Sequence, residues 1–212
     1  MIRLILVRHG NTFETGQIAV QIGARTDMPL TEKGRKQAGD IARFLQMEQI
    51  HPAAIYRGPL KRQIETAQII GKPFRLEGIA ESVLTEIDYG TWEGLEAESI
   101  RSKWPSEYSE WAASARWAER IFGGDHPLPA IERWIDHLKK THQSGDTIIG
   151  VSSYGLIRYF YALWKNHWDF LVSKKQIETL KVKTGHFCEL LLLEDGVEIR
   201  KWNESPQSIL TA

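Results

Sequence analysis

One cysteine in 212 residues, Cys188, leaves no partner for an internal disulfide and points to a reducing, cytoplasmic setting. Charge of one sign is also missing. Lys+Arg 27 against Asp+Glu 27 gives a formal net charge of zero, so no overall field exists to hold nucleic acid or an anionic membrane. The longest apolar run, Leu190 to Leu193, is only strand-length, far short of the roughly 20 residues of a membrane helix. The apolar start, Met1 to Val7, meets Arg8-His9 where a signal peptide would continue its hydrophobic run. No repeat and no low-complexity segment is visible. Three common site motifs are absent: G-x-x-x-x-G-K-[ST], G-x-G-x-x-G and H-E-x-x-H. Glu194 stands where the arginine of a thiolate phosphatase loop around Cys188 would be. His137 and His142 are five apart and do not share a helix face, so no metal pair is expected there. The expectation is an enzyme or binding protein without metal or cofactor.

Hydrophobic content of 42% with 25% charged residues is that of a folded chain, and the length suits a single domain spanning 1–212. Leu4-Ile5-Leu6-Val7 is too continuous for a half-exposed strand and reads as one buried on both faces. Ala38, Ile41, Ala42 and Leu45 keep helical offsets. Ala53 to Tyr56 is a short strand, succeeded by a helix with Pro59 in its first turn and Leu60, Ile64 and Ala67 inward. Ile131, Trp134, Ile135 and Leu138 repeat the helical pattern before the buried strand Thr147 to Val151. A helix is expected from Gly155 to Trp164. Phe187 to Leu193, Asp195-Gly196 and Val197 to Trp202 read as an antiparallel hairpin. Strands alternating with helices give a three-layer α/β/α sandwich with a mostly parallel sheet. The stretch from Glu86 to Pro129 lacks a strand and carries four of the eight tryptophans. It is expected to be a helical cap inserted at about 86–130.

Arg8-His9-Gly10-Asn11-Thr12 comes directly after the first buried strand, where ligands bind in α/β sheets. An arginine there can hold phosphate through bidentate bonds, and Gly10 lets backbone approach closely. A neighbouring cation disfavours the imidazolium and keeps a lone pair on His9, as a nucleophile requires. A loop histidine satisfied by backbone explains the tripeptide equally well.

Further pieces stand in order along the chain: Gly23 to Leu30 with Thr31-Glu32-Lys33-Gly34-Arg35, then Arg57-Gly58-Pro59-Leu60-Lys61-Arg62 through Glu65-Thr66-Ala67. Leu84-Thr85-Glu86-Ile87-Asp88-Tyr89-Gly90 and Val151 to Arg158 come after them. Together with Arg8-His9-Gly10 they closely resemble the histidine phosphatase (phosphoglycerate mutase-like) superfamily, across about three quarters of the chain. The resemblance implies that His9 accepts the phosphoryl group and that Arg8 and Arg62 clamp its oxygens. Glu86 would be the general acid and then the base, and Asn11 and Thr12 would line the pocket. The implied partner is a small phosphate ester or other small anion, held by a monomer or homodimer.

The resemblance breaks in two places. Ser153 falls where the family has its second catalytic histidine, and Tyr154 falls on a glycine. Arg57 occupies a position that is usually small. It is read as charge for the pocket in place of that lost at Ser153, as the holder of a second anionic group on the ligand, or as a strand-end surface residue. His126 is the remaining histidine that could stand in. Three readings result: a phosphatase with an atypical pocket, a divergent relative that binds without hydrolysis or does other chemistry, and a serine hydrolase using Ser152 in Gly150-Val151-Ser152-Ser153-Tyr154.

Overall fold

The first buried run forms β1 (Ile2–Arg8), and its continuity has the expected cause: both faces are covered. Ile5 and Val7 point to one side, where they meet Ile55, Ile149 and Val151 and the helical residues Ile41, Phe44, Leu45, Ala67 and Ile70. Leu4 and Leu6 point to the other, against Tyr56, Ile148, Ile131, Trp134 and Ile157. The computed structural model describes residues 1–210.

Six strands form one sheet in the order β3-β2-β4-β1-β5-β6, with β2 (Ala54–Arg57), β3 (Gly78–Ala80), β4 (Thr147–Ser152), β5 (Phe187–Leu193) and β6 (Gly196–Glu204). Strands β1 to β4 are parallel, and β5 and β6 are added antiparallel. One face carries α1 (Glu32–Met47) and α2 (Lys61–Gly71), and the other carries α5 (Leu128–Thr141) and α6 (Tyr154–Phe160). Helices α3 (Ala97–Lys103) and α4 (Pro105–Ser114) lie between β3 and α5 in sequence. Helices α7 (Lys165–Ser173) and α8 (Pro206–Leu210) complete the chain. This is a mixed α/β fold with a mostly parallel sheet. Among the described residues no helix is long and apolar enough to cross a membrane.

Several boundaries differ from the sequence expectation. Pro59 lies outside α2, whose N-cap is Leu60. The inner face of α2 is not Leu60, Ile64 and Ala67 alone: Arg62, Gln63 and Thr66 are fully buried, while Ile64 is half-exposed. Apolar periodicity misreads that helix because the polar residues face a polar site. Helix α6 ends at Phe160 and tightens into a 3-10 turn over Tyr161–Leu163. Strand β3 is three residues long, with Ile79 and Ala80 exposed at the sheet edge, so it leaves no hydrophobic pattern to read.

Candidate active site

The parallel register of β1 and β4 pairs Arg8 with Ser152, and the His9 amide donates to the Ser152 carbonyl at 3.0 Å. The two chains leaving the sheet are therefore side by side, one carrying His9 and the other Ser153. The first turn is held tightly. A Cβ on Gly10 would stand 2.2 Å from the Gly34 carbonyl oxygen, so the loop and the start of α1 approach as only glycine permits. Thr31 caps α1 by accepting from the Gly34 amide at 3.1 Å. Thr66 of α2 accepts from the Gly10 amide at 3.2 Å.

His9 is 2% exposed. Its Nδ1 lies 2.7 Å from the Gly10 carbonyl oxygen, which can only accept, so Nδ1 carries the proton and Nε2 keeps its lone pair. Burial, then the Arg62 and Arg8 cations, hold the ring well below the ordinary histidine value of 6.5. The neutral tautomer with a lone pair on Nε2 is thus the resting form at neutral pH.

Arg62 has no exposed surface. Its Nη1 donates to the Thr26 carbonyl at 2.6 Å and its Nη2 to the Gly23 carbonyl at 3.1 Å. The loop from Gly23 to Asp27 is fastened in turn, since Asp27 accepts from the Lys61 amide at 2.6 Å and Thr26 donates to Glu93 at 2.7 Å. Arg8 donates through Nη1 to the Val182 carbonyl at 2.7 Å. Each guanidinium keeps a buried Nε–H with no partner. Burial lowers both arginines from their usual value, against the opposing pull of Glu86; arginine remains charged regardless.

Glu86 is buried with the same pair of cations. One oxygen accepts from the Ile87 amide at 2.9 Å and the Leu156 amide at 3.1 Å, and the other from the Gly155 amide at 3.3 Å. Burial nevertheless raises its carboxyl above 4.5, outweighing the Ile87 bond, Arg62, the Gly155 bond and Arg8. A Cβ on Gly155 would lie 1.9 Å from the Tyr89 hydroxyl and 2.6 Å from the Glu86 carboxylate, so glycine is required for the carboxylate to reach the α6 amides.

Not every expected residue joins this group. Asn11 turns its side-chain amide onto the Phe13 carbonyl, while Thr12 is buried beside it in the chain. Tyr154 lies with its ring 5.7 Å from the Arg8 guanidinium carbon. Ser153 is fully buried, and its hydroxyl accepts from Gln63 Nε2 at 3.1 Å. Arg57 has its stem over Gly78 of β3, and its Nη1 donates to the Gly58 carbonyl at 3.4 Å. The strand alternation puts it on the α2 face with Ile55, beside Ile64, Gln68 and Lys72. His126 has its ring centroid 5.0 Å from that of Tyr159 and 5.6 Å from that of Trp117, and its Nδ1 accepts from the Leu128 amide at 3.3 Å. The serine hydrolase reading also loses its nucleophile: Ser152 is buried and its hydroxyl donates to the Leu84 carbonyl at 2.7 Å. Burial pushes the Cys188 thiol up to about 12, which removes thiolate chemistry there. Among the described residues no group of three His, Cys, Asp or Glu could hold a metal ion.

Gln63 and Tyr89, which stand beside Ser153 and Glu86, are residues of this cluster that sequence reasoning missed. Gln63 bridges the Leu84 carbonyl at 2.8 Å and Ser153, tying α2 to the ends of two segments. Its position in α2, next to Arg62, is the one signal that could have found it.

Comparison with known proteins agrees with this arrangement. The chain matches the histidine phosphatase superfamily, branch 1, over residues 4–205, and it belongs to that family. It is 33% identical over 165 residues to phosphoserine phosphatase 1 of Hydrogenobacter thermophilus, covering 76% of this chain and 75% of that one. It is 35% identical over 162 residues to a metal-independent phosphoserine phosphatase of Arabidopsis thaliana, covering 74% and 66%. Among solved structures, one called mycobacterial hydrolase 1 superposes with a TM-score of 0.80 at 25% identity, over 96% of this chain and 98% of that one. A mycobacterial glucosyl-3-phosphoglycerate phosphatase bound to inorganic phosphate superposes with a TM-score of 0.79 at 24% identity, over 97% and 98%. The latter likeness is one of fold.

Proposed function

We propose that this protein hydrolyses small phosphomonoesters through a phosphohistidine on His9. The observation that carries the reading is the buried His9 ring, with Nδ1 committed to the Gly10 carbonyl, between two guanidiniums that each keep an unused donor. Nε2 attacks phosphorus, the bond to the ester oxygen breaks, and the Glu86 carboxyl gives its proton to the leaving oxygen. Glu86 then takes a proton from water, the resulting hydroxide attacks phosphorus, and the phosphorus–nitrogen bond breaks to release phosphate and neutral His9. Arg8 and Arg62 neutralise the transferring group, the work a metal ion does in other phosphatases. Thr12 and Tyr154 close the sides. Residues 86–130 act as a cap within a single domain, and the lone buried Cys188 suits a reducing, cytoplasmic compartment.

Ser153 stands beside His9 where the family resemblance places a second histidine. A hydroxyl cannot carry charge, so the cationic load rests on the two arginines. Being similar to phosphoserine phosphatases and, in fold, to a glucosyl-3-phosphoglycerate phosphatase, this chain is assigned small metabolites as substrates. The test is turnover of a generic aryl phosphate and a panel of small phosphate esters, with trapping of acid-labile phosphohistidine on His9. Turnover with trapped phosphohistidine is expected. Neither turnover above background nor phosphohistidine would leave a binding protein in its place.

A further inference from the structure

We propose that Arg158 is the anchor for a carboxylate on the substrate, so that the preferred ligands are phosphomonoesters of small carboxylic acids. The inference rests on the phosphatase reading of the His9 site and names the substrate class that site takes.

Arg158 lies on α6, one turn after Tyr154, and is 1% exposed. Its guanidinium carbon stands 4.0 Å from the Trp111 ring centroid, 5.4 Å from that of Tyr159 and 5.9 Å from that of Tyr154. Its polar company is the Tyr159 hydroxyl, which itself donates to the Ala115 carbonyl at 2.9 Å. No carboxylate of the described residues pairs with it. Glu86, the acid at the start of the same helix, is committed to three backbone amides. Burying a cation without a counter-ion is unfavourable, and aromatic faces offset that only in part. That imbalance is relieved when a ligand supplies the anion.

The unused donors identify the anion. Nε and Nη2 of Arg158 are both buried without a partner. These two N–H groups lie along one edge of the guanidinium plane, the fork that a carboxylate accepts with two parallel bonds.

The place of Arg158 connects it to the reacting centre. Tyr154 has the Arg8 guanidinium carbon 5.7 Å from its ring centroid and that of Arg158 at 5.9 Å. The two guanidiniums are therefore no farther apart than the sum of those distances. On this proposal a short acid phosphate places its phosphoryl oxygens on Arg8 and its carboxylate on Arg158, with Tyr154 between the two cations. The Tyr89 phenol, close to Glu86, also feels the Arg158 charge, so the two sites share one electrostatic neighbourhood.

A purely structural role for Arg158, fastening α4 to α6 through Trp111, makes a different prediction. Phosphoserine and phosphoethanolamine differ by one carboxylate and separate the two. We would measure kcat/KM for both esters with wild type, Arg158→Met and Arg158→Lys, and monitor thermal unfolding of each. The wild type is expected to prefer phosphoserine by about 10- to 100-fold, the worth of a charged bidentate contact. Arg158→Met should abolish that preference while phosphoethanolamine stays within a few-fold of wild type. Arg158→Lys keeps charge and loses the fork, so it should retain part of the preference, and it carries the comparison if Arg158→Met does not fold. An equal fall on both esters, or a wild type without preference, overturns the carboxylate anchor. If the wild type turns neither ester over, the phosphatase reading fails on its own. Calorimetric titration of the same pair then decides the anchor: tighter phosphoserine binding that disappears in the Arg158 variants sustains it, and equal affinities overturn it.

Discussion

Two fully buried arginines stand in opposite kinds of surroundings. Arg62 is wired into backbone: two carbonyls of the Gly23–Asp27 loop take its terminal nitrogens, and that loop is fixed by Asp27 and Thr26. Arg158 is enclosed by rings, with Trp111, Tyr154 and Tyr159 around it and its forked edge unpaired. The first arrangement preorganises a cation for chemistry common to every phosphate ester. The second is left incomplete, and completion by a ligand makes it selective. On the carboxylate-anchor proposal, generic chemistry and specificity thus sit at two ends of one site, built from different materials.

The largest test of that division is removal of the nucleophile. His9→Ala should lose about 10⁴-fold or more in turnover on all phosphate esters alike, measured by phosphate release. Residual activity near wild type would move the chemistry away from the wired end altogether. Arg62→Met comes next, with an expected fall of about 10²–10³-fold in kcat/KM. The ratio between phosphoserine and phosphoethanolamine should stay unchanged, and a changed ratio would erase the contrast with Arg158.

Glu86→Gln tests how the wired end handles protons. His9 must be neutral, and its value is held well below 6.5, so the rising limb of the kcat/KM profile lies well on the acid side. Glu86 must start protonated, and its carboxyl is raised above 4.5, so activity falls as pH climbs through that raised value. The glutamine variant should be slower by about 10²-fold and should lose the falling limb, since an amide does not titrate. A falling limb that survives in the variant would assign it to another group.

At the aromatic end the expected effects are smaller. Trp111→Leu removes the ring 4.0 Å from the Arg158 guanidinium carbon, at a cost of about 1–2 kcal/mol in stability by denaturant titration. The preference for the carboxylate-bearing ester should drop severalfold while phosphoethanolamine turnover is spared. Loss on both esters equally would make the rings a scaffold for the whole site.

The same division explains what the sequence reveals. The strand core, the alternation of strands with helices, and Arg8-His9-Gly10 at the end of β1 are local patterns, set by hydrophobic period and by the residues adjoining the strand end. Glu86 and Arg62 come from family resemblance, because their partners lie on other segments. Arg57 lies on the face that its strand's alternation dictates, with its stem over Gly78 of the neighbouring strand, a contact that no local pattern shows. Arg158 is invisible for a related reason. It comes after Leu156 and Ile157 in a short helix and reads as an ordinary polar position, and only the fold brings Trp111 of α4 over it. Residues that pair with nearby backbone leave a sequence signature, whereas those that wait for a ligand do not.

The smallest effect concerns stability and pH. The folded-state value of His9 is depressed by burial and two cations, so between 6.5 and that lowered value the unfolded chain binds a proton that the folded one refuses. Stability therefore falls as pH drops through this window, by at most about 1.4 kcal/mol per pH unit for this one group. Glu86 acts in the opposite sense: its raised value means that the folded protein takes up its proton first, so this contribution returns stability as pH falls. In His9→Asn the first contribution vanishes and the second remains. Denaturant midpoints measured from pH 7 downward should therefore fall less steeply in the variant than in wild type, with the curves diverging below 6.5. Parallel curves would mean that the wired end does not hold His9 neutral against protonation, and the nucleophile would then have to be prepared by the bound substrate.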